Sequence, residues 1–477
     1  MDPDYSVPTI TSRETLVRLD VIVVGAGLGG LATAISIAQS GSRVTVFDAA
    51  KELQEIGAGL QLTPNCTKIL QRWGLPDALW AAGAEPTELT VHRYTGPVLA
   101  QDASFARNMR TRYGAPFLDM HRVDLQRALC ERARALGVRF RLGEKVVDLA
   151  LDQAPRRPEV VTAAGARAAA DLVVAADGLW SRCRSRFLGR DDPPRPTGDL
   201  AYRVVLKLDQ IPDPDLRRRV AEPATHFWIG PYAHAVAYSL RGGTMYNIVL
   251  LVPDDLPPGV SRQEGSVEEM KALFEGWDPV LSRCLGLVDQ VDKWKLMHRK
   301  FPERKWLRGS TTSPISSLCK VPVTAANVVS CKLCRSLTQN RGDACHPMLP
   351  YLAQGANSAI EDGAVLGLLL EHIQSRDQVP QALAMYEKLR KARGESIVRE
   401  TFKQRDTFHM PDGPEQEARD EIFLSQLGKE SKGPFPSRWT CPHVQPWLYG
   451  YDAYEEVEIA VKKEPFVKAR RSDDTRQ

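Results

Sequence analysis

The sequence predicts an α/β protein: a parallel sheet flanked by helices, an inserted antiparallel sheet and a helical C-terminal segment. Three observations carry this. Val21-Ile22-Val23-Val24 is a continuous β-branched run, the pattern of a strand buried on both faces. It leads into the glycine-rich turn Gly25-Ala26-Gly27-Leu28-Gly29-Gly30, after which Leu31 to Ala38 reads as a helix ended by Gly41 and Arg43 to Asp48 as a second strand. Between about 199 and 252, short alternating segments such as His234-Ala235-Val236-Ala237-Tyr238-Ser239 and Tyr246-Asn247-Ile248-Val249-Leu250 suggest an antiparallel sheet, and from about 355 to 408 the pattern is helical.

The length, 477 residues, suits two or three domains with a sizeable core. With 43% hydrophobic and 26% charged residues and a net charge of +4, the composition is that of a globular protein. Basic residues are interspersed with acids, which gives no case for a nucleic-acid partner. The first 18 residues are polar and no run of 18 apolar residues occurs, so neither a signal peptide nor a spanning helix is expected. The nine scattered cysteines read as reduced thiols of a cytoplasmic protein. Cys331-Lys332-Leu333-Cys334 lacks the two further ligands of a zinc site, and no metal is expected.

The strand–turn–helix–strand unit of about 30 residues has the size of a Rossmann-like dinucleotide-binding unit. Gly25 permits the tight turn, Gly27 lets the backbone approach a pyrophosphate, and Gly30 allows close helix–strand packing. The helix N-terminus offers unpaired N–H groups and partial positive charge to phosphates. Asp48, ending the second strand, is placed to accept ribose hydroxyls. The plainer alternative is a glycine turn with no ligand. Further elements read as a helix over 123–137, a strand and turn from Val138 to Glu144, a buried strand from Asp171 to Ala176 and an amphipathic helical stretch over 266–288.

Four more motifs follow in order. They are Gly57-Ala58-Gly59-Leu60-Gln61-Leu62-Thr63-Pro64-Asn65, then His121-Arg122-Val123-Asp124-Leu125, then Asp177-Gly178-Leu179-Trp180-Ser181-Arg182, and last Gly342-Asp343-Ala344-Cys345-His346-Pro347 with Gln354-Gly355-Ala356-Asn357 and Ile360-Glu361-Asp362-Gly363 behind it. With these in place the chain, from about 19 to 455, closely resembles the single-component flavoprotein aromatic hydroxylases, the salicylate-hydroxylase-like FAD monooxygenases, in a style similar to fungal natural-product enzymes. The late segments Pro411-Asp412-Gly413-Pro414 and Gln445-Pro446-Trp447-Leu448-Tyr449-Gly450 belong to the same resemblance.

The resemblance implies an FAD site. Asp48 would hold the ribose, Ala58 and Gly59 would lie near the flavin, and Arg122 would face the phosphates. Asp177 and Gly178 match a motif associated with both FAD and NAD(P)H. Asp343 resembles the carboxylate of the ribityl or pyrophosphate region, and Ala356 lies in the turn expected beneath the isoalloxazine. Arg203, in Ala201-Tyr202-Arg203, and Tyr238 match substrate-side residues of related ring hydroxylases. An arginine beside a phenolic oxygen favours its ionised form, and a tyrosine can orient it. The competing reading makes Arg203 a surface ion pair and Tyr238 core.

The implied reaction is NAD(P)H- and O₂-dependent hydroxylation of a phenolic small molecule, in a polyketide-type secondary pathway. The alternatives are epoxidation of a prenylated metabolite and an inactive flavoprotein. Residues 19–92, 121–198 and 340–380 are expected to form the discontinuous FAD-binding domain, and 93–120 and 199–308 the substrate domain. A helical segment would follow over 381–460, with flexible tails at 1–18 and 461–477. His226, His234 and His298 read as core residues, as do Trp228, Trp294 and Trp306, while His346 could touch the flavin site.

One stretch departs from the family. Where relatives have a short apolar core strand before Gly342-Asp343, this chain has Ser336-Leu337-Thr338-Gln339-Asn340-Arg341, preceded by an unusually long segment from Ser310 to Cys334. Such a polar run is a poor central strand. Either 309–341 is a natural insertion in which Val321 to Val329 replaces the strand, or it is an intron or frame error carried into the translated sequence. The second is the expectation, because the extra length coincides with the lost strand. If the mature message does encode these residues, Asp343 would be misplaced and FAD poorly bound.

Overall fold

The computed structural model describes residues 17–53, 58–150, 157–299, 339–340, 347–429 and 431–467. Outside them lie Gly57, the proposed replacement strand Val321–Val329, Cys331 and Cys334, Trp306, Asp343 and His346.

A five-stranded parallel sheet forms one layer, in the order Gln339–Asn340, Leu172–Ala175, Asp20–Val24, Arg43–Phe47, Arg139–Arg141. The β-branched first strand sits at its centre, and Val21, Ile22, Val23 and Val24 are all buried. The crossover helix Leu28–Gln39 packs against helix Gln354–Glu371 at very short range. A Cβ placed on Gly363 would lie 2.8 Å from the Thr33 amide nitrogen, and one on Gly367 only 2.1 Å from the Ser36 hydroxyl oxygen. Two glycines four residues apart thus let these helix backbones approach as closely as they do.

A small antiparallel sheet of Val146–Ala150, Glu159–Thr162 and Arg167–Ala169 accompanies this layer. The third unit is an eight-stranded sheet: Arg262–Gly265, Val291–His298, Arg195–Lys207, Met245–Pro253, Ala233–Leu240, Ala224–Gly230, Glu88–Arg93, Val98–Asp102. It is antiparallel except where Ala224–Gly230 runs parallel to Glu88–Arg93. Glu88–Arg93 therefore belongs to this sheet, which moves the expected boundary at 92 back to about 87. The pairing partner lies more than 130 residues away, and local alternation does not specify it.

Several expectations are corrected. The stretch 266–288 is two short helices, Val267–Leu273 and Pro279–Leu285, because Asp278 caps Val280 and Pro279 starts a new helix. The helical stretch after 355 divides into Gln354–Glu371 and Val379–Phe408 around a Ser375–Gln378 capping box. Residues 461–467 of the expected tail are tied down instead. Helix Ala453–Lys463 runs to 463, and the Phe466 carbonyl and Val467 amide bond to Gln378 and Gln381. Among the described residues, Gln339–Asn340 is the outermost strand of the parallel sheet, pairing with Val174 and Ala175. Among the described residues no helix is long and apolar enough to cross a membrane.

The C-terminal helices close over the large sheet through a buried polar cluster. His234 Nδ1 and His409 Nε2 are 2.7 Å apart, the Tyr351 hydroxyl donates to Asp199 at 2.7 Å, and Arg405 pairs with Asp199. Burial holds His409 down at about 4 and His234 well below its usual value. A depressed histidine protonates more readily in the unfolded chain, so folding stability is fullest above pH 6.5 and falls as pH drops toward 4. For His409 alone the loss is about 3 kcal/mol. Urea midpoints measured from pH 7.5 to 4.5 should show a shallower slope for His409→Gln than for the parent. Equal slopes would refute this.

Candidate FAD and substrate site

The glycine turn is built by two different constraints. Gly25 has φ +103°, and a Cβ there would lie 2.3 Å from the Ala176 carbonyl oxygen. A Cβ on Gly30 would lie 1.9 Å from the Gly25 carbonyl oxygen. Both glycines are required by the chain's own packing. Gly27 differs, because nothing described lies within 4 Å of its Cβ position. It faces open space at the N-terminus of helix Leu28–Gln39, which has no side-chain cap and no acid in its first turn. Uncapped N–H groups beside such a space fit a pyrophosphate.

Asp48 lies across this turn. Its carboxylate accepts the Ala26 amide at 2.6 Å and the Ala50 amide at 2.8 Å, so it shapes the loop as well as ending the strand. Asp177 follows the neighbouring strand Leu172–Ala175. Its carboxylate accepts the Ser181 hydroxyl and the Arg182 and Cys183 amides, fixing the start of helix Arg182–Leu188, while Gly178 turns with φ +73°.

A second loop joins the nucleotide-binding layer to the large sheet. The Arg122 amide at the start of helix Arg122–Ala135 donates to the Ala58 carbonyl at 3.1 Å. The Gly59 amide donates to Asn247 Oδ1 at 2.9 Å, and a Cβ on Gly59 would stand 2.6 Å from the Tyr238 ring. Gly59–Leu62 is a short strand paired with Leu118–His121, and Thr63 and Asn65 lie at the start of the helix Pro64–Arg72 that follows. The Asn357 side chain accepts the Thr63 amide and donates to the Gln61 carbonyl. Gln354 donates to the Thr63 hydroxyl and accepts from Asn65. The Gln354–Asn357 motif is thus bonded to the Gly59–Asn65 segment. Ala356 is half-buried in the first turn of helix Gln354–Glu371, a second N-terminus with neither side-chain cap nor acid.

Tyr238 and Arg203 lie on the same face of the large sheet. Tyr238 pairs with Asn247 and Arg203 with Val249, two residues further along the same strand. This is the face against Gly59. Tyr238 is buried, and burial pushes its hydroxyl well above the ordinary range; nearby Asp119 adds to the rise and Arg203 opposes it. Arg203 is half-buried, which lowers its pKa, and its guanidinium lies 5.3 Å from the centre of the Trp294 ring. Among the described residues no ion pair or hydrogen bond involves Arg203, so none of them supplies the surface ion pair of the competing reading.

Several site neighbours escaped sequence reasoning. In the sequence Asn247 reads only as part of the strand Tyr246–Leu250. Buried Asp119, bonded to Gln61 and Thr225, carries no motif at all; burial raises its carboxyl well above the usual range. Glu361 lies in a quoted motif but received no role. It is fully buried, paired with Arg390 and Arg393, and accepts from Asn65 at 2.6 Å. Two consecutive acids within an apolar helix were the available signal. Trp294 is half-exposed between two guanidinium groups instead of being core. His226 is half-buried and sits 3.1 Å from His92. Among the described residues no cluster of metal-ligand type occurs.

Comparison with known proteins matches residues 18–233 and 335–401 to the family described as FAD binding domain. The second block takes in the polar segment and Gly342-Asp343. The chain is 47% identical over 447 residues to "FAD-dependent monooxygenase OpS4" of Beauveria bassiana (strain ARSEF 2860), covering 93% of this chain and 97% of that protein. It is 30% identical to "3-amino-4-hydroxybenzoate 2-monooxygenase PtnB3" of Streptomyces platensis, covering 91% and 97%. Among solved structures, a salicylate hydroxylase substrate complex superposes with a TM-score of 0.70 at 20% identity, covering 93% of this chain and 98% of that one, and shows the shared fold. The chain belongs to the FAD binding domain family and is an FAD-dependent monooxygenase.

Proposed function

We propose that the enzyme uses NAD(P)H and O₂ to hydroxylate a phenolic small molecule. In this reading Gly25, Gly27, Gly30, Asp48, Ala58, Gly59, Arg122, Asp177, Asp343 and Ala356 surround FAD, and Arg203 and Tyr238 meet the substrate. The observation that carries it is the half-buried Arg203, uncompensated among the described residues, on the sheet face where Tyr238 packs over Gly59. The name of the Streptomyces relative, which specifies a hydroxybenzoate ring, points the same way.

Bound FAD supplies the redox chemistry: it takes reducing equivalents and activates oxygen. The chain's own part is electrostatic and steric. Arg203 stabilises the phenolate form of the ring hydroxyl, which makes the ring a better nucleophile. Tyr238, held neutral by burial, donates a hydrogen bond to that oxygen and fixes the ring. The uncapped N-terminus of helix Gln354–Glu371 favours negative charge near Ala356.

The test is direct. Purified protein should be yellow, and NADH or NADPH oxidation should rise when 3-hydroxybenzoate, salicylate or resorcinol is added, with a hydroxylated product. Stimulation by prenylated indoles alone would replace this reading with the epoxidase. A yellow protein inert with every substrate would replace it with the inactive flavoprotein, and a colourless one would count against the FAD site itself.

A further inference from the structure

The edge of the large sheet beyond Arg203 holds a carboxylate that should neutralise it and does not. Asp292 stands directly across from Arg203 in the register between Arg195–Lys207 and Val291–His298. Directly opposed residues of an antiparallel pair share a face, with Cβ atoms about 5 Å apart. Yet Asp292 pairs outward, accepting Arg262 Nη2 at 2.7 Å. Arg262 comes from the neighbouring strand Arg262–Gly265, where it is opposed to Trp294. Its guanidinium lies 4.5 Å from the Trp294 ring centre, and Arg203 lies 5.3 Å from the same centre. One indole therefore contacts both cations, while the only carboxylate opposed to Arg203 is held by the outer one.

We propose that Arg262 and Trp294 are positioning residues that keep Arg203 available to an anionic substrate oxygen: Arg262 draws Asp292 away, and Trp294 holds the Arg203 guanidinium. This rests on the reading of Arg203 as the substrate-side arginine. Among the described residues, the charged and titratable groups on this face around Arg203 are Asp292, Glu264, Arg262, His234 and Tyr238 with Asp119 beside it, and, further along its own strand, Asp199, which is held by Arg405 and Tyr351. Glu264 is exposed at the outer edge, and His234 is committed to His409. Asp292 is thus the group able to compete with the substrate. Arg203 cannot serve both, because an ion pair with Asp292 would offset the charge that favours a phenolate.

The experiment uses the FAD-loaded protein and 4-nitrophenol, whose bound phenolate is read by its absorbance. In Arg262→Ala, Asp292 turns to Arg203. The apparent pKa of the bound phenol should rise by about one unit and Kd at neutral pH should weaken about tenfold. Arg262→Ala/Asp292→Asn removes the competitor and should return both values to those of the parent, a rescue that a merely structural role of Arg262 would not produce. Trp294→Phe, which keeps a ring, should sit closer to the parent than Trp294→Leu. Thermal unfolding should shift little in Arg262→Ala, because that pair is solvent-exposed. An Arg262→Ala protein that binds and ionises the probe like the parent overturns the proposal, as does a defect that Asp292→Asn fails to relieve. Arg203→Met separates the two levels. If it binds the probe as the phenolate with parental affinity, or if the parent does not bind the probe as the phenolate, the substrate-side reading of Arg203 falls and this proposal with it. If Arg203→Met alone weakens binding and Arg262→Ala does not, only the positioning role falls.

Discussion

Gly30→Ala is expected to yield a protein that does not retain FAD and is less stable than the parent by about 3 kcal/mol or more. The added Cβ would lie 1.9 Å from the Gly25 carbonyl oxygen. The obstacle is backbone in the turn between the central strand and its helix, and it cannot rotate aside. Relief requires the helix to lift from the sheet, which moves the whole N-terminus that faces the open space. Gly27→Ala makes the instructive contrast. Gly27 has φ −67° and ψ 176°, ordinary for alanine, and no heavy atom of the described residues lies within 4 Å of its Cβ position. The stability of the cofactor-free protein should stay within about 0.5 kcal/mol of the parent, or rise slightly. FAD affinity should nevertheless fall at least tenfold, because the methyl group enters the space assigned to the pyrophosphate. Denaturation of apoprotein and fluorescence titration with FAD measure the two quantities separately. If Gly27→Ala binds FAD as the parent does, the pyrophosphate does not approach that position.

Glu361→Gln should cost about 3–5 kcal/mol, enough to lower the urea midpoint sharply or prevent folding at 37 °C. Glu361 is fully buried. Burial opposes its ionisation, but Arg393 and Arg390 outweigh that effect and keep the carboxyl below its usual range. Neutralising it leaves two buried guanidinium groups, with Asp362 as the remaining acid of the cluster beside Arg390. Arg393 also donates to the Trp447 and Leu448 carbonyls, so the defect would spread into the C-terminal segment. Since Asn65 donates to Glu361, the start of helix Pro64–Arg72 would loosen too. The paired replacement Glu361→Leu/Arg393→Met should be less harmful than Glu361→Gln alone, because it removes charge from both sides. A single variant that melts within about 1 kcal/mol of the parent would show that the network is dispensable.

The two predictions differ in how far ahead they could be seen. The spacing implies a tight turn at Gly25 and close helix–strand packing at Gly30, and a Cβ at either position would meet backbone; at Gly27 nothing described lies within 4 Å. A motif confined to one strand, one turn and one helix is governed by local stereochemistry, so it is written in consecutive residues. The segments carrying Arg122, Asp177, Tyr238 and Ala356 were likewise legible, as ordered motifs or alternating strands. What Asp177 does locally was not. Its carboxylate is taken up by the turn it begins, which only the path of residues 178–183 reveals.

By itself, then, the sequence determined the α/β class, the central strand, the glycine turn and the family. Each depends on neighbours in the chain or on motif order. Only the tertiary structure decided that Glu88–Arg93 joins the large sheet, that Gln339–Asn340 pairs with Val174 and Ala175 in the parallel one, and that Gly59 meets Tyr238 and Asn247. The same holds for the choice Asp292 makes between Arg203 and Arg262, and for the burial of Glu361 between two arginines. These are contacts between residues about 30 to nearly 200 apart in the chain. They depend on strand register and on which charges lose water together, and no local pattern records either.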